Sequence, residues 1–216
     1  MANIIKYAID NTTKNIIHID NADNGLNCNC NCAKCGARMV AVQGKSINHR
    51  EWHFRHHIES DCLGGQETAI HKLAKQIIAD NTQIAIPNDV LLFYTSPRLE
   101  SRFETIIPDI SVTSDGIDIH FEILVTHPVD IIKEEFYCKG KHKSIEINLK
   151  NISYNINPEE LKEIVLNQVH NKRIIFWERK EPVKQENQIN DNLWEWVIGI
   201  GVVIGITKLF TKKRRY

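Results

Sequence analysis

The chain has 216 residues, and its 27 lysines and arginines balance 27 aspartates and glutamates, which gives a net charge of zero at pH 7. No overall positive field therefore indicates a nucleic-acid partner, so any such partner must meet a local patch. A hydrophobic fraction of 42% and a charged fraction of 25% exclude a wholly disordered chain and allow one sizeable domain with an appendage, or two small domains.

The first 65 residues predict a small hairpin followed by a stretch that is poor in apolar residues. No basic segment followed by an apolar run opens the chain, so we expect no secretory signal and a cytoplasmic location, where clustered cysteines are more often ligands than disulfides. Residues 3–19 alternate around a turn signal at 10–13, which predicts a β-hairpin. Residues 20–65 have almost no long apolar run, so this stretch needs a metal or a neighbouring domain to become ordered.

Cysteines and histidines are concentrated in this stretch, in CNCNCAKC (28–35) and in HREWHFRHH (49–57). Cys32 and Cys35 have the two-residue spacing that lets two thiolates bind one ion from a tight turn. Structural zinc takes four sulfur or nitrogen ligands and leaves no open position, so we predict a structural zinc site. The candidate ligands are Cys32, Cys35 and His53 with a fourth from His56, His57 or Cys62, where His56 and Cys62 are preferred equally. Cys28 and Cys30, one residue apart, are expected to be spare thiols.

From residue 66 the pattern predicts an α/β domain with the order helix, several strands, helix, strand. Apolar side chains at helical spacing predict a helix over 66–80, and Pro128, which is placed at a helix start, favours another over about 129–139. A proline in the first turn favours a third helix over 157–169. The predicted strands are VLLFYT (90–95), RFETII (102–107), DISVT (109–113), IDIHFEILVT (117–126), SIEINL (144–149) and RIIFWE (173–178).

Two acids stand on successive predicted strands. Asp109 begins one strand and Glu122 lies within the next, which can bring both carboxylates to the same end of a sheet. Magnesium is held by one or two carboxylates together with waters and substrate phosphates. Glu67 on the first helix can supply a third carboxylate, and His71 and Lys75 follow at four-residue intervals on the same helical face.

These motifs and their order resemble those of a known family. The residues that carry the resemblance are Cys32-x-x-Cys35, His53-Phe54-x-His56, Glu67-Thr-Ala-Ile-His71-Lys-Leu-Ala-Lys75, Ile107-Pro108-Asp109-Ile110 and Phe121-Glu122-Ile123. Over about residues 28–150 the chain resembles CoiA-like competence proteins, which place a zinc knuckle ahead of a nuclease core of the PD-(D/E)XK, or restriction-endonuclease-like, type.

The resemblance implies a central mixed sheet flanked by helices and a magnesium- or manganese-dependent nuclease acting on DNA, or alternatively on RNA. It assigns the metal to Asp109 and Glu122, with support from Glu67. The family's lysine, two residues after the glutamate, is replaced by Leu124, which can neither position a water nor offset phosphate charge. Lys133 on the next helix can reach the same space. The alternative is a catalytically inactive module that binds nucleic acid or a protein partner.

Two segments follow the predicted core. Residues 178–192 are polar and contain a proline, which is typical of a linker, and an uncharged run then precedes a basic end. A helix over 193–210 is about 27 Å long against a hydrocarbon core of roughly 30 Å. We expect it to tether the protein to the inner membrane, or alternatively to pack as an oligomerisation helix, with Gly201 and Gly205 spaced for pairing in a homodimer. The predicted organisation is 1–65 (zinc-binding region), 66–177 (nuclease-like core), 178–192 (linker) and 193–216 (apolar helix with a basic tail).

Overall fold

The structure is a computed structural model that describes residues 4–44, 51–59, 61–63, 65–88 and 90–178. Contacts divide the chain into two units, Met1–Glu178 and Arg179–Tyr216, and the description below concerns the first. The predicted linker beyond residue 178 and the predicted apolar helix with Gly201 and Gly205 lie outside the described residues. In the described part of the chain, none of the helices has the length and apolar character needed to cross a lipid bilayer.

The described residues form a mixed α/β structure with three α-helices and four small or medium sheets, as the sequence predicts at this level. The helices are α1 (Gly65–Ala79), α2 (Ile131–Gly140) and α3 (Pro158–Leu166). The strands are β1 (Tyr7–Asp10), β2 (Ile16–His18), β3 (Cys30–Asn31), β4 (Met39–Val42), β5 (His53–His56), β6 (Gln83–Ile86), β7 (Val90–Phe93), β8 (Thr95–Leu99), β9 (Ile110–Ser114), β10 (Ile117–Leu124), β11 (Lys143–Asn148) and β12 (Lys172–Phe176).

The N-terminal region contains the predicted hairpin and a small core of its own. β1 pairs antiparallel with β2 and, on its other edge, with β3, while β4 and β5 form a separate two-stranded sheet. Apolar and cysteine side chains fill the small core between these sheets; they are Ala8, Ile19, Cys28, Cys30, Cys32, Met39, Ala41 and Phe54. The two cysteines predicted to be spare thiols, Cys28 and Cys30, are therefore buried packing residues.

The central sheet has the strand order β12-β11-β10-β9-β8. Only β10 and β11 run parallel, and α2 connects them in a crossover, while the other neighbours are antiparallel. β10 is the middle strand, and its side chains alternate between the two faces. Phe121 belongs to the main core with α1 and α3, whereas Glu122 contacts α2 on the opposite face.

The hairpin is not separate from this core. Tyr7 of β1 is buried in the main core, and its hydroxyl donates a hydrogen bond to the carbonyl oxygen of Ile156, which precedes α3. On α1, Gln76 accepts a hydrogen bond from the backbone N–H of Ile16 in β2 at 2.9 Å. The N-terminal hairpin and the central sheet are thus connected through α1 and the loop before α3.

The strands differ from the expected set in several places, and β3, β4, β5 and β8 were not expected from the sequence. The predicted strand at 102–107 is a loop with a single bridge between Phe103 and Ile106, because Glu100 and Glu104 adopt φ values of 44° and 50°, which break an extended backbone. Conversely, β6 was not expected from the short alternation QIAI, but it pairs with β7. In addition, α2 begins at Ile131, later than predicted, because Asp130 accepts a hydrogen bond from the backbone N–H of Lys133 and caps the helix.

Candidate metal centre and carboxylate pocket

Four ligand atoms of the N-terminal region lie together in a group that we call the thiol cluster, which consists of Cys32, Cys35, His56 and Cys62. Their ligand atoms all lie within 4.8 Å of one another, and no other set of three or more Cys, His, Asp or Glu side chains in the described residues is gathered so closely. Three thiols and one imidazole form a ligand set that is typical of structural zinc. The cluster can therefore hold a metal such as zinc.

The distances within the thiol cluster fit a tetrahedral ion. A zinc ion with Zn–S bonds of about 2.3 Å and a Zn–N bond of about 2.0–2.1 Å separates two sulfurs by about 3.8 Å and a sulfur from the nitrogen by about 3.5 Å. In the structure, Cys32 Sγ lies 3.8 Å from Cys62 Sγ, and Cys35 Sγ lies 3.4 Å from His56 Nε2. These two distances match those expected between ligands of one zinc.

A tight turn between β3 and β4 positions the first two ligands. The backbone N–H of Cys32 donates to Ala37 O at 2.8 Å, and the N–H of Gly36 donates back to Cys32 O at 3.0 Å. Gly36 has a φ of 72°, which glycine adopts without the steric cost that a side chain brings. A hydrogen bond from the backbone N–H of Ala37 lowers the pKa of the Cys35 thiol to about 7, which favours the thiolate that binds metal. Burial instead raises the pKa of Cys62 to about 11.

The predicted ligand His53 is not part of the thiol cluster, and His56 takes the place that was expected for it. Both lie on β5, three residues apart, so they are directed to opposite faces of the strand. His56 shares a face with Phe54, which is buried in the small core beside Cys32. His53 Nδ1 instead lies 2.9 Å from Glu51 O. Two residues between ligands place them around one ion when the segment is a turn, but in a strand they place the two side chains on opposite faces.

The first helix begins at the thiol cluster. Cys62 lies three residues before Gly65, where α1 starts, and a Cβ added at Gly65 would lie 3.2 Å from Cys32 Sγ. About two turns further along the helix, Lys72 Nζ donates to Ala33 O in the cysteine turn at 3.1 Å. The position of α1 is therefore tied to the geometry of the cluster.

The same helix reaches a second site, a pocket of about 230 Å³ at the end of β9 and β10, which we call the carboxylate pocket. Its lining residues are His71, Asp109, Glu122, Ile123, His127, Pro128, Val129, Asp130 and Lys133. The two acids and the lysine that the sequence singles out thus lie around one space. His127 also lines the pocket.

Asp109 is held from two sides by α1 and by the neighbouring strand. His71 Nε2 donates to Asp109 Oδ2 at 3.0 Å, the backbone N–H of Ile123 donates to the same oxygen at 2.8 Å, and Lys75 Nζ lies 3.7 Å from Oδ1. Burial opposes ionisation of Asp109, but the hydrogen bonds from His71 and Ile123 and the charge of Lys75 outweigh it, so the pKa lies below its usual value. Asp109 is accordingly an anion with a fixed orientation.

Glu122 is almost completely buried, with donors from α2. Lys133 Nζ lies 3.1 Å from Oε1 and 2.9 Å from Oε2, and the hydroxyl of Tyr137 donates to Oε1 at 2.6 Å. Burial raises the pKa of Glu122, and the nearby charge of Asp109 adds to this, although Tyr137 and Lys133 act in the opposite direction. The pocket therefore places one carboxylate with a lowered pKa beside one with a raised pKa.

Glu67 and Leu124 take positions beside this arrangement. Glu67 is not among the pocket-lining residues, and its Oε1 accepts a hydrogen bond from the hydroxyl of Thr126 just after β10. Leu124 is buried on the same face of β10 as Glu122, at the position where the resemblance noted from sequence leads one to expect a lysine. Lys133 supplies the ammonium group near Glu122 instead, which the sequence had offered as one of two alternatives.

Tyr137 is a contact of the pocket that the sequence analysis did not find. It is fully buried, and burial, together with the neighbouring Glu122 carboxylate, raises its pKa well above the usual value, so its hydroxyl is a neutral donor. A signal was present in the sequence, because Tyr137 lies four residues after Lys133 and thus on the same side of a helix. A tyrosine on a predicted helix is, however, usually a core residue.

Comparison with known proteins finds no relative of the chain. No family model matches the chain, and no curated protein and no solved structure shows significant similarity to it.

Proposed function

We propose that the chain is a metal-dependent nuclease of the PD-(D/E)XK type, similar to CoiA-like proteins, which hydrolyses phosphodiester bonds in DNA. The observation that carries the proposal is the convergence of Asp109, Glu122 and Lys133 on one pocket from two adjacent strands and the following helix. The order of helix, strands, helix and strand around a mixed sheet supports a restriction-endonuclease-like core.

Asp109 and Glu122 are the residues that would hold magnesium or manganese in this pocket. Both are carboxylates, which hard cations prefer, and the remaining positions would be filled by waters and phosphate oxygens. A cation held there lowers the pKa of a bound water and offsets charge on the phosphate. Glu67 accepts a hydrogen bond from the Thr126 hydroxyl and does not line the pocket. Its proposed role is therefore to hold the end of β10 in place.

The other groups of the pocket have roles that follow from their contacts. His71 and the N–H of Ile123 fix Asp109 Oδ2, which orients the second oxygen. Lys133 is paired with Glu122, and a cation bound there would compete with its ammonium group for the carboxylate. The proposed role of Lys133 is that of the missing lysine of the motif, because its charge would then be available to a substrate phosphate.

The thiol cluster has a separate proposed role. Its four protein ligands leave no open coordination position for a substrate or a reacting water, so zinc bound there is structural. It stabilises a region with a small core and ties that region to the start of α1.

A second candidate function is a catalytically inactive module of the same fold that binds nucleic acid or a protein partner. The observation that favours it is Leu124, which fills the expected lysine position with a buried apolar side chain. The two candidates differ in whether Lys133 can serve a substrate.

The deciding experiment is cleavage of end-labelled single- and double-stranded DNA and RNA by the full-length, zinc-loaded protein in magnesium, manganese or EDTA. We expect cleavage of DNA that requires the metal and is abolished in Asp109→Asn, because the amide removes the anionic ligand while keeping its shape. The loss should exceed the roughly 10- to 100-fold cost of removing a supporting group next to a metal.

Asp118→Asn is the matched control, because Asp118 also lies on β10 but pairs with Arg98 at 2.8 Å and does not line the pocket. It should cleave like the wild type. A folded, zinc-loaded wild type that binds nucleic acid in every metal condition but cleaves none of the four substrates would reject the nuclease and support the binding module.

A further inference from the structure

Glu122 receives hydrogen bonds from two residues on successive turns of α2, and the two contacts differ in kind. Lys133 Nζ lies near both carboxylate oxygens, at 3.1 and 2.9 Å, whereas the Tyr137 hydroxyl contacts Oε1 alone, at 2.6 Å. Lys133 brings a positive charge, and Tyr137 brings a neutral donor. Of these two donors, only Lys133 contacts Oε2, whereas both Lys133 and Tyr137 contact Oε1.

The two donors also differ in mobility. The Lys133 side chain is 23% exposed and ends a flexible stem, so its ammonium group can turn toward the pocket. Tyr137 is 0% exposed, and its ring has only two side-chain torsions. Of the two donors, Lys133 is therefore the one that can move away from Glu122, whereas Tyr137 is held by its buried surroundings.

A buried aromatic stack holds the Tyr137 ring in place. The ring of His120 lies parallel to it, with centroids 5.5 Å apart and planes 25° apart, and Phe103 covers His120 at a centroid distance of 4.4 Å. His120 is itself 0% exposed and is fixed by the contact of Nδ1 with Ser111 Oγ at 2.8 Å. The position of the Tyr137 hydroxyl is thus set by packing and by β9, independently of Lys133.

A divalent cation bound at Glu122 would affect its two hydrogen-bond donors differently. A cation bound at Glu122 would compete with the ammonium group that lies 2.9 Å from Oε2, since like charges repel at such separations. A buried carboxylate that lost all its donors would pay the cost of an unsatisfied charged group. The tyrosine hydroxyl avoids this cost at Oε1, because it carries no charge that a cation would expel.

We propose that Tyr137 is a positioning residue that keeps Glu122 Oε1 fixed while a divalent cation displaces Lys133 from Oε2. In this arrangement Glu122 binds the cation through Oε2, and the released ammonium group of Lys133 turns to the substrate phosphate. The inference rests on the proposed function and deepens it, because it divides the support of one carboxylate between a permanent donor and an exchangeable one.

The test compares Tyr137→Phe with Lys133→Met in the full-length, zinc-loaded protein. The affinity for Mn²⁺ is measured by titration calorimetry, and the rate of DNA cleavage is measured as a function of Mg²⁺ concentration. Tyr137→Phe should weaken Mn²⁺ binding by about 10- to 100-fold and raise the half-saturating Mg²⁺ concentration to match, while most of the rate returns at saturating metal. Lys133→Met should lose the saturated rate without any loss of Mn²⁺ affinity, because it removes a competitor of the metal.

Tyr94→Phe is the matched control. Tyr94 is also buried, and its hydroxyl donates to Ile78 O at 2.8 Å, while neither residue lines the carboxylate pocket. It should leave both measurements unchanged. A double variant extends the test: in a Glu122→Gln background, Tyr137→Phe should weaken Mn²⁺ binding no further, because its effect passes through Glu122.

The outcomes separate this inference from the nuclease proposal. If the wild type binds Mn²⁺ in the pocket and Tyr137→Phe binds it equally well, the inference is wrong and the nuclease proposal stands. If the wild type binds Mn²⁺ but cleaves nothing, the affinities still decide the role of Tyr137. If the wild type neither binds Mn²⁺ beyond its Asp109→Asn variant nor cleaves, both proposals fail together.

Discussion

The thiol cluster gathers four metal-binding atoms within 4.8 Å of one another, whereas in the carboxylate pocket Asp109 and Glu122 each lie close to a lysine of the protein itself. A metal that enters the cluster displaces only protons from thiols, so its binding energy is available to stabilise the fold. Under the proposed function, a cation in the pocket would have to compete with Lys133 for Glu122 and would lie near the charge of Lys75. We therefore expect tight, permanent binding at the first site and weaker, exchangeable binding at the second.

The largest effect should come from removing a ligand of the cluster. His56→Ala should weaken zinc binding by roughly 100-fold, because one of four ligands carries about 3 kcal/mol of a binding energy of about 10–16 kcal/mol. The measurement is competition for zinc with a chromogenic chelator, together with amide hydrogen exchange of β4 and β5, which should become faster.

His53→Ala is the control for this prediction, since His53 lies on the same strand but is directed to its other face. It should bind zinc like the wild type. If His53→Ala lost zinc and His56→Ala kept it, the ligand set derived from the structure would be wrong and the original expectation from sequence would be right.

A smaller effect should separate the two acids of the pocket by the sign of their pH dependence. The pKa of Asp109 lies below its usual 3.8, mainly because hydrogen bonds from His71 and Ile123 outweigh burial, so its ionised form stabilises the fold above that pH. This contribution is lost as the pH falls through the pKa of the folded state. Burial raises the pKa of Glu122 above 4.5, so its ionisation destabilises the fold at higher pH, and the penalty disappears on acidification.

Urea unfolding of the wild type, Asp109→Asn and Glu122→Gln between about pH 3 and pH 7 measures both signs. On acidification the stability advantage of the wild type over Asp109→Asn should shrink, while its stability relative to Glu122→Gln should increase. Acid release of zinc affects all three proteins alike and cancels in these differences. Equal slopes for the two variants would show that the pocket does not treat its acids differently.

The smallest effect should appear at the start of α1. A Cβ added at Gly65 lies 3.2 Å from Cys32 Sγ, which is tighter than ordinary contact, so the sulfur has to move by a few tenths of an ångström. Gly65→Ala should therefore weaken zinc binding by less than about 10-fold, the lower end of what a disturbed neighbour of a metal site costs. Gly44→Ala, whose added Cβ meets nothing within 4 Å, should leave the same zinc titration unchanged.

Elements with a strong local pattern could be predicted from sequence, and elements set by distant contacts could not. The apolar spacing on α1 and the β-branched run of β10 gave these elements within a few residues. The loop at 101–109 has a strand-like composition, but Glu100 and Glu104 adopt left-handed backbone conformations that local propensity does not reveal. Propensity reports what a segment prefers, and here the surrounding structure decides.

The same limit applies to the two sites. The order of Asp109 and Glu122 along the chain was sufficient to expect them near each other, because consecutive strands usually pair, whereas Lys133 was suggested only by the family resemblance. The choice between His53 and His56 was not available, since it depends on which face of β5 packs on the small core. Tyr137 was missed because its importance comes from the stack with His120, a residue from another element.

The contacts of α1 at its first residue and in its middle imply that the spacing between them is fixed. Gly65 lies against Cys32 at one end, while His71 and Lys75 contact Asp109 further along. Inserting or deleting one residue between them turns the following side chains by about 100° and shifts them by about 1.5 Å along the axis. Insertions should therefore be tolerated in the loops of this chain but not between residues 65 and 75, where the helix fixes the distance and the orientation between the thiol cluster and the carboxylate pocket.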